Sequence, residues 1–243
     1  MSTQSSILDA PFDDFAASLL PLYVGPWVTI RIGSASPEYK LPKALLCKQS
    51  PYFASMFNGK FKEGEEQSAT LEEIDGVVSA RSFQMLAQWV CLGRVVAGTL
   101  PPGESITSAI EFARLADMCG VVGMESRMAE YIKSTIIDNP GPYDFETGTT
   151  NSHTHFITLE NIISAAFLPD GHPVRNVLAL ATVEGYLNCE NHKFSKESSK
   201  VPSFSADLLA AVKTTLKTMR RGEYSVTFTE PFNGKELPLR MIE

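Results

Sequence analysis

The chain approaches a metal-ligand pattern at His153-Thr154-His155, where an extended segment would turn two imidazoles to the same side. Zinc needs a third or fourth protein ligand, and no cysteine lies near in sequence, so two solvated loop histidines are expected. The four cysteines, Cys47, Cys91, Cys119 and Cys189, stand at least 28 residues apart, which excludes C-x-x-C pairs and a dense disulfide framework. Each sits among apolar residues at helical spacing, where a thiol serves as a small buried hydrophobe. A nucleophilic thiol needs a basic neighbour, and the sequence identifies none. The phosphate cradles G-x-G-x-x-G and G-x-x-x-x-G-K-[ST] are missing, as are H-E-x-x-H and G-x-S-x-G. The expectation is a protein that is not an enzyme, with no cofactor and no metal.

Charge is the other chemistry on offer. Lys213, Lys217, Arg220 and Arg221 fall at i, i+4, i+7 and i+8, which puts all four on one side of a last helix beside its Leu208, Val212, Leu216 stripe. Such a face is ordinarily solvated, with its final charges complementing the helix C-terminus; the functional alternative is an acidic partner or a phosphate. The formal net charge of −7 argues against a dedicated nucleic-acid binder. It is unevenly spread: residues 1–190 carry 12 basic and 22 acidic side chains, residues 191–243 carry 9 and 6. Only the C-terminal end favours anions.

The elements that must hold these residues follow from periodicity. In 243 residues, 44% hydrophobic and 20% charged side chains describe a folded globular chain. The uncharged stretch from Phe15 to Ile30 contains Pro21, Gly25 and Pro26 and is too short to span a membrane. Asp9, Asp13 and Asp14 precede it in place of a basic n-region, and there is no N-x-[ST] sequon, so the expected location is cytoplasm or nucleus. Phe12, Phe15, Ala16 and Leu19 make the stripe of a short N-terminal helix that Pro21 ends. Val28, Ile30 and Ile32 alternate as a strand, and Gly33 to Pro37 turn it back into a hairpin with Glu38 to Leu41. Ser50-Pro51 opens a helix that closes near Asn58-Gly59; Ser68 to Ile74 is a strand; Ser79 caps a helix that Gly93 stops. Thr107 is expected to cap the next helix, which Cys119-Gly120 ends, and another carries Met124, Met128, Tyr131 and Ile132. Beyond a Gly, Pro, Thr and Asn-rich boundary, three helices are expected, starting at Thr158, Pro173 and Ser205, then a strand or loose hairpin around Tyr224, Val226, Phe228 and Asn233-Gly234.

Residues 41–57, Leu-Pro-Lys-Ala-Leu-Leu-Cys-Lys-Gln-Ser-Pro-Tyr-Phe-Ala-Ser-Met-Phe, resemble the paired helices around a Ser-Pro-Tyr-Phe junction in BTB/POZ domains. Phe61-Lys62-Glu63, the strand residues Ala69 to Ile74, and Phe83 to Gly93 with Trp89 continue that family's order. The resemblance implies an α+β BTB/POZ fold, a small sheet flanked by helices, followed by an all-helical extension. The expected organisation is an N-terminal helix and lead-in (1–26), the BTB/POZ domain (27–138), a linker loop (139–155) and a helical extension ending in a strand or hairpin (156–243).

In relatives that bind the cullin-3 scaffold of ubiquitin ligases, a hydrophobic-x-Glu triplet follows the Ser-Pro-Tyr-Phe helix. Phe61-Lys62-Glu63 occupies that place, with Tyr52 contributing a wall; the alternative is that Phe61 folds onto its own core. In dimeric relatives an N-terminal helix packs on the partner chain, which assigns Phe12, Phe15 and Leu19 to a homodimer interface. Trp27 and Pro42 stand where many animal members have Asp and His, and Cys91-Leu92 replaces Tyr-Thr, so a charged corepressor pocket is not expected. The pattern is similar to short fungal BTB proteins. It implies a self-associating interaction module, an adaptor joining a cullin-3-type scaffold to a substrate protein not identifiable from sequence. The alternative is a chromatin or transcription protein whose basic last helix touches an acidic partner or nucleic acid.

Overall fold

The computed structural model describes residues 11, 14–34, 37–96, 98–142, 153–189, 192–196, 200–223 and 225–239. The chain divides into two compact units, Met1–Gly98 with Glu111–Met124, and Thr99–Ile110 with Glu125–Glu243.

The first unit is built on strand β1, Trp27–Ile32, whose alternation buries Val28, Ile30 and Ile32 completely and leaves Trp27 exposed. Strand β2, Tyr39–Pro42, returns antiparallel with Val28 opposite Leu41, and β3, Ser68–Leu71, joins the other edge parallel with Ile30 opposite Ala69. A parallel neighbour requires a crossover. Three short helices fill it: α1 (Lys43–Gln49), α2 (Pro51–Asn58) and α3 (Lys62–Glu66). Helix α4 (Ala80–Leu92) begins at a capping box in which Ser79 and Ser82 satisfy each other's backbone N–H groups. It ends at Gly93, which takes φ +64° and supplies the left-handed cap that a side chain would strain. Phe83, Leu86, Trp89 and Val90 form its buried stripe.

The N-terminal stripe is not one regular helix. A π-helical turn, Phe15–Leu19, passes into a 3₁₀ turn, Leu20–Tyr23, because Pro21 has no N–H to continue an α ladder. Leu19 is completely buried and Phe15 is 39% exposed, while Phe12 lies outside the described residues.

Helix α5 runs over Pro102–Cys119 and starts five residues before the expected cap. Pro102 sets the first turn, and Thr107, inside the helix, donates its hydroxyl to the Gly103 carbonyl at 3.0 Å.

In the second unit α8 (Pro173–Asn188) is buried almost all round, and α6 (Glu125–Asp138), α7 (Leu159–Ala165) and α9 (Pro202–Leu216) pack against it. Thr158 and Asn161 form the capping box that opens α7. Ser205, expected as a cap, lies in the first turn of α9, which Pro202 begins. Of the expected linker, residues 143–152 lie outside the described residues. Arg175 ties this bundle together: Nε donates to Asp207 at 2.8 Å, Nη1 to Asp170 at 2.7 Å and to the Leu168 carbonyl at 3.0 Å, and Nη2 to the Ser203 carbonyl at 3.5 Å.

The C-terminal end is a three-stranded antiparallel sheet, β4 (Arg220–Arg221), β5 (Val226–Thr229) and β6 (Glu236–Pro238), with Phe228 opposite Leu237. The expected strand or hairpin is therefore present with one strand more, and Tyr224 lies outside the described residues. The sheet corrects the four-cation helix face. Helix α9 stops at Leu216, the Thr218 hydroxyl closes onto the Thr215 carbonyl at 2.7 Å, and Arg220 and Arg221 enter the sheet. Lys213, Lys217, Arg220 and Arg221 are all exposed, but only Lys213 lies within the helix. Helical spacing cannot be carried past a terminus that the adjoining sheet sets.

His153 is another correction, since it is buried while His155 is exposed. Its Nδ1 lies 3.6 Å from a Glu184 carboxylate oxygen and 3.8 Å from Glu230, and its ring packs 4.8 Å from Phe232. Glu230 is completely buried and accepts the Phe232 and Asn233 amides at 2.8 and 2.7 Å. Burial pushes its carboxyl above the usual range, against the pull of those amides and of His153. Among the described residues no group of three His, Cys, Asp or Glu side chains can hold a metal ion.

Candidate protein-interaction groove

Ser50 is the hinge pin of the site. Its hydroxyl accepts the Phe53 amide at 3.2 Å as the N-cap of α2, and donates to the Cys119 carbonyl at 2.6 Å. One buried side chain thus starts one wall and ties it to the end of α5. Gly120, just beyond, has φ +66°, and a Cβ there would sit 3.0 Å from the Pro51 ring, so only glycine fits the seam without displacement.

Helix α2 divides its side chains. Phe53 and Phe57 are buried with stacked rings 6.2 Å apart, while Tyr52 turns outward at 37% exposure with its ring 5.1 Å from Phe53. Phe61 precedes α3 and accepts the Gly64 and Glu65 amides at 3.0 and 3.2 Å through its carbonyl. A Cβ on Gly64 would come within 2.6 Å of the Gly59 carbonyl, so the tight loop that presents Phe61 requires glycine. The Phe61 side chain is 61% exposed and does not fold onto the core.

These pieces enclose a groove of about 600 Å³. Tyr52 and Met56 of α2, Phe61 and Glu63 form one side, and Asp117, Met118 and Cys119 of α5 form the other. The structure brings together the three residues that the sequence assigns to a partner site, Tyr52, Phe61 and Glu63. Asp117 and Met118 were not evident in sequence; the one available signal was a methionine off the Ala109, Phe112, Ala113, Ala116 stripe of its helix.

Electrostatically the groove is acidic and chemically quiet. Among the described residues Glu63 makes no ion pair and no cation lines the groove. Burial, then Cys119, then Glu63 push the Tyr52 phenol upward, so at neutral pH it is a hydrogen-bond donor. Burial pushes the Cys119 thiol up to about 12, so at neutral pH it stays protonated. An apolar floor with a phenol and two carboxylates can seat a protein segment.

Residues 28–130 match the family model of the BTB/POZ domain. This stretch is a BTB/POZ domain. The α+β fold with a small sheet among helices agrees with it, and the BTB/POZ domain is a module of protein–protein interaction and self-association, generally without enzymatic activity. No curated protein matches the chain. Among the described residues no helix is long and apolar enough to cross a membrane.

Outside the groove, the BTB/POZ domain and its lead-in expose a second apolar set: Phe15 at 39%, Leu20 at 51%, Val24 at 76% and Trp27 at 54%. Leu19, assigned with Phe12 and Phe15 to a dimer interface, is instead buried within its own chain. Four residues apart, the two share one face of the turn, so a common face does not make both available to a partner.

Proposed function

We propose that this protein is a self-associating adaptor whose BTB/POZ groove recruits a cullin-3-type scaffold. The observation that carries the reading is the convergence of Tyr52, Phe61 and Glu63 on one groove, with Phe61 61% exposed at its rim. An aromatic side chain held out by a tight loop beside a carboxylate is suited to one buried contact and one charge-assisted bond. Self-association is assigned to the exposed lead-in, with Phe15, Leu20 and Trp27 as the apolar contact and Leu19 as internal support.

Titration of purified cullin-3 N-terminal domain against the full chain tests the adaptor reading. Anchors of this kind contribute about 2 kcal/mol when truncated, so Phe61→Ala and Glu63→Ala should each weaken binding by tenfold or more, with the far-UV spectrum unchanged. No binding by the wild type at tens of micromolar removes the scaffold assignment and leaves self-association. Light scattering then reads the second part: a mass of two chains is expected, and a monomer unaffected by Phe15→Asp removes it.

A further inference from the structure

The second unit carries its own groove, of about 340 Å³, between α7 and the start of α9. Helix α7 sends Ile162 inward, and its neighbours on the other side, Ile163 at 42% exposure and Phe167 at 69%, face this groove with Leu159. Pro202 and Lys200 form the opposite wall. The volume is at the low end of the range for ligand sites, room for one or two side chains. Among the described residues Lys200 is the one charged residue lining it. Val201, the N-cap of the 15-residue helix α9, has no side-chain acceptor to offer the first turn, so the helix's positive end reinforces Lys200.

We infer that this groove docks a segment of a partner protein that presents a bulky apolar side chain next to an aspartate or glutamate. The apolar side chain packs on Phe167 and Ile163, and the carboxylate faces Lys200. Charge complementarity to Lys200 selects this occupant over a basic segment, and a second copy of this chain is an outcome that the test separates. The inference stands independently of the cullin assignment, although an adaptor needs such a second surface.

The test pans a library of random dodecapeptides against the immobilised full chain, followed by anisotropy titrations of the enriched peptides carrying fluorescein. Expected are peptides with a bulky apolar residue adjacent to Asp or Glu. Their binding should fall at least tenfold in Phe167→Ala, and about threefold in Lys200→Gln with a weaker dependence on salt. Phe167 is exposed, so Phe167→Ala should keep the wild-type circular dichroism spectrum. Phe61→Ala sorts out peptides seated in the BTB/POZ groove and keeps the two sites separate. The inference is overturned if no enriched peptide depends on Phe167, if the dependent peptides lack acidic residues, or if Phe167→Ala changes the oligomeric state instead of peptide binding.

Discussion

Arg175 offers the most direct test of what holds the second unit together. Replacing it with methionine keeps an unbranched apolar shaft and removes the guanidinium, leaving four acceptors without their donor. Asp170 is 97% exposed and rehydrates, so its share is below about 1 kcal/mol. Asp207 is 22% exposed and loses a short charge-assisted bond, about 2 kcal/mol. The Leu168 carbonyl loses about 1 kcal/mol and the longer contact to Ser203 less, so the total is about 3–4 kcal/mol, within the usual cost of breaking a buried pair. For a cooperative unit of about 130 residues this lowers the midpoint by about 10–14 °C. Trp27 and Trp89 both belong to the first unit, so their fluorescence follows that unit while far-UV circular dichroism follows the helices of both. Arg175→Met should shift the dichroism transition, and Arg175→Lys should recover less than half of the loss, because an ammonium cannot reproduce the planar fork. A loss below about 1 kcal/mol, or full recovery with lysine, would refute the view that directed bonds rather than one positive charge hold this junction.

Other consequences are equally open to measurement. Burial raises the Glu230 carboxyl in the folded state, so its contribution to stability is fully present below the unfolded value near 4.5 and is lost as pH rises through the folded value. The stability of wild type relative to Glu230→Gln should therefore decline as pH rises above about 4.5; a difference that grows in favour of wild type toward neutrality contradicts the assignment. Cys119, with its thiol near 12, should be alkylated at neutral pH only on unfolding, and Cys119→Ala should still bind at the groove. Rapid labelling of Cys119 in the native chain would show instead that the end of α5 opens.

Local chemistry made much of the BTB/POZ part legible in sequence. Ser50-Pro51, Ser79 and Gly93 are stop and start signals whose mechanisms act within one helical turn, and the structure uses each as read. The alternation of Val28, Ile30 and Ile32 fixed a face, not a partner, so the parallel pairing with β3 was invisible. Two caps were misplaced for one reason: Pro102 and Pro202 each begin a helix earlier than Thr107 and Ser205 would, and both hydroxyl residues sit inside it. In the site, Tyr52, Phe61 and Glu63 lie within a dozen residues and follow a family pattern. Asp117 and Met118 reach the same groove through tertiary packing, which no local window reports. The burial of His153 has the same origin, since Glu184, Glu230 and Phe232 come from distant segments.

The hydroxyl of Ser50 also sets a schedule. Its acceptor, the Cys119 carbonyl, lies 69 residues downstream, so on a translating ribosome the first wall of the groove waits about 3–14 s for the second. During that interval Phe61 and Tyr52 have been synthesised, but the α5 wall carrying Met118 and Asp117 has not, and a partner meets half a surface. A chain that ends before Asp117 therefore lacks one wall of the groove.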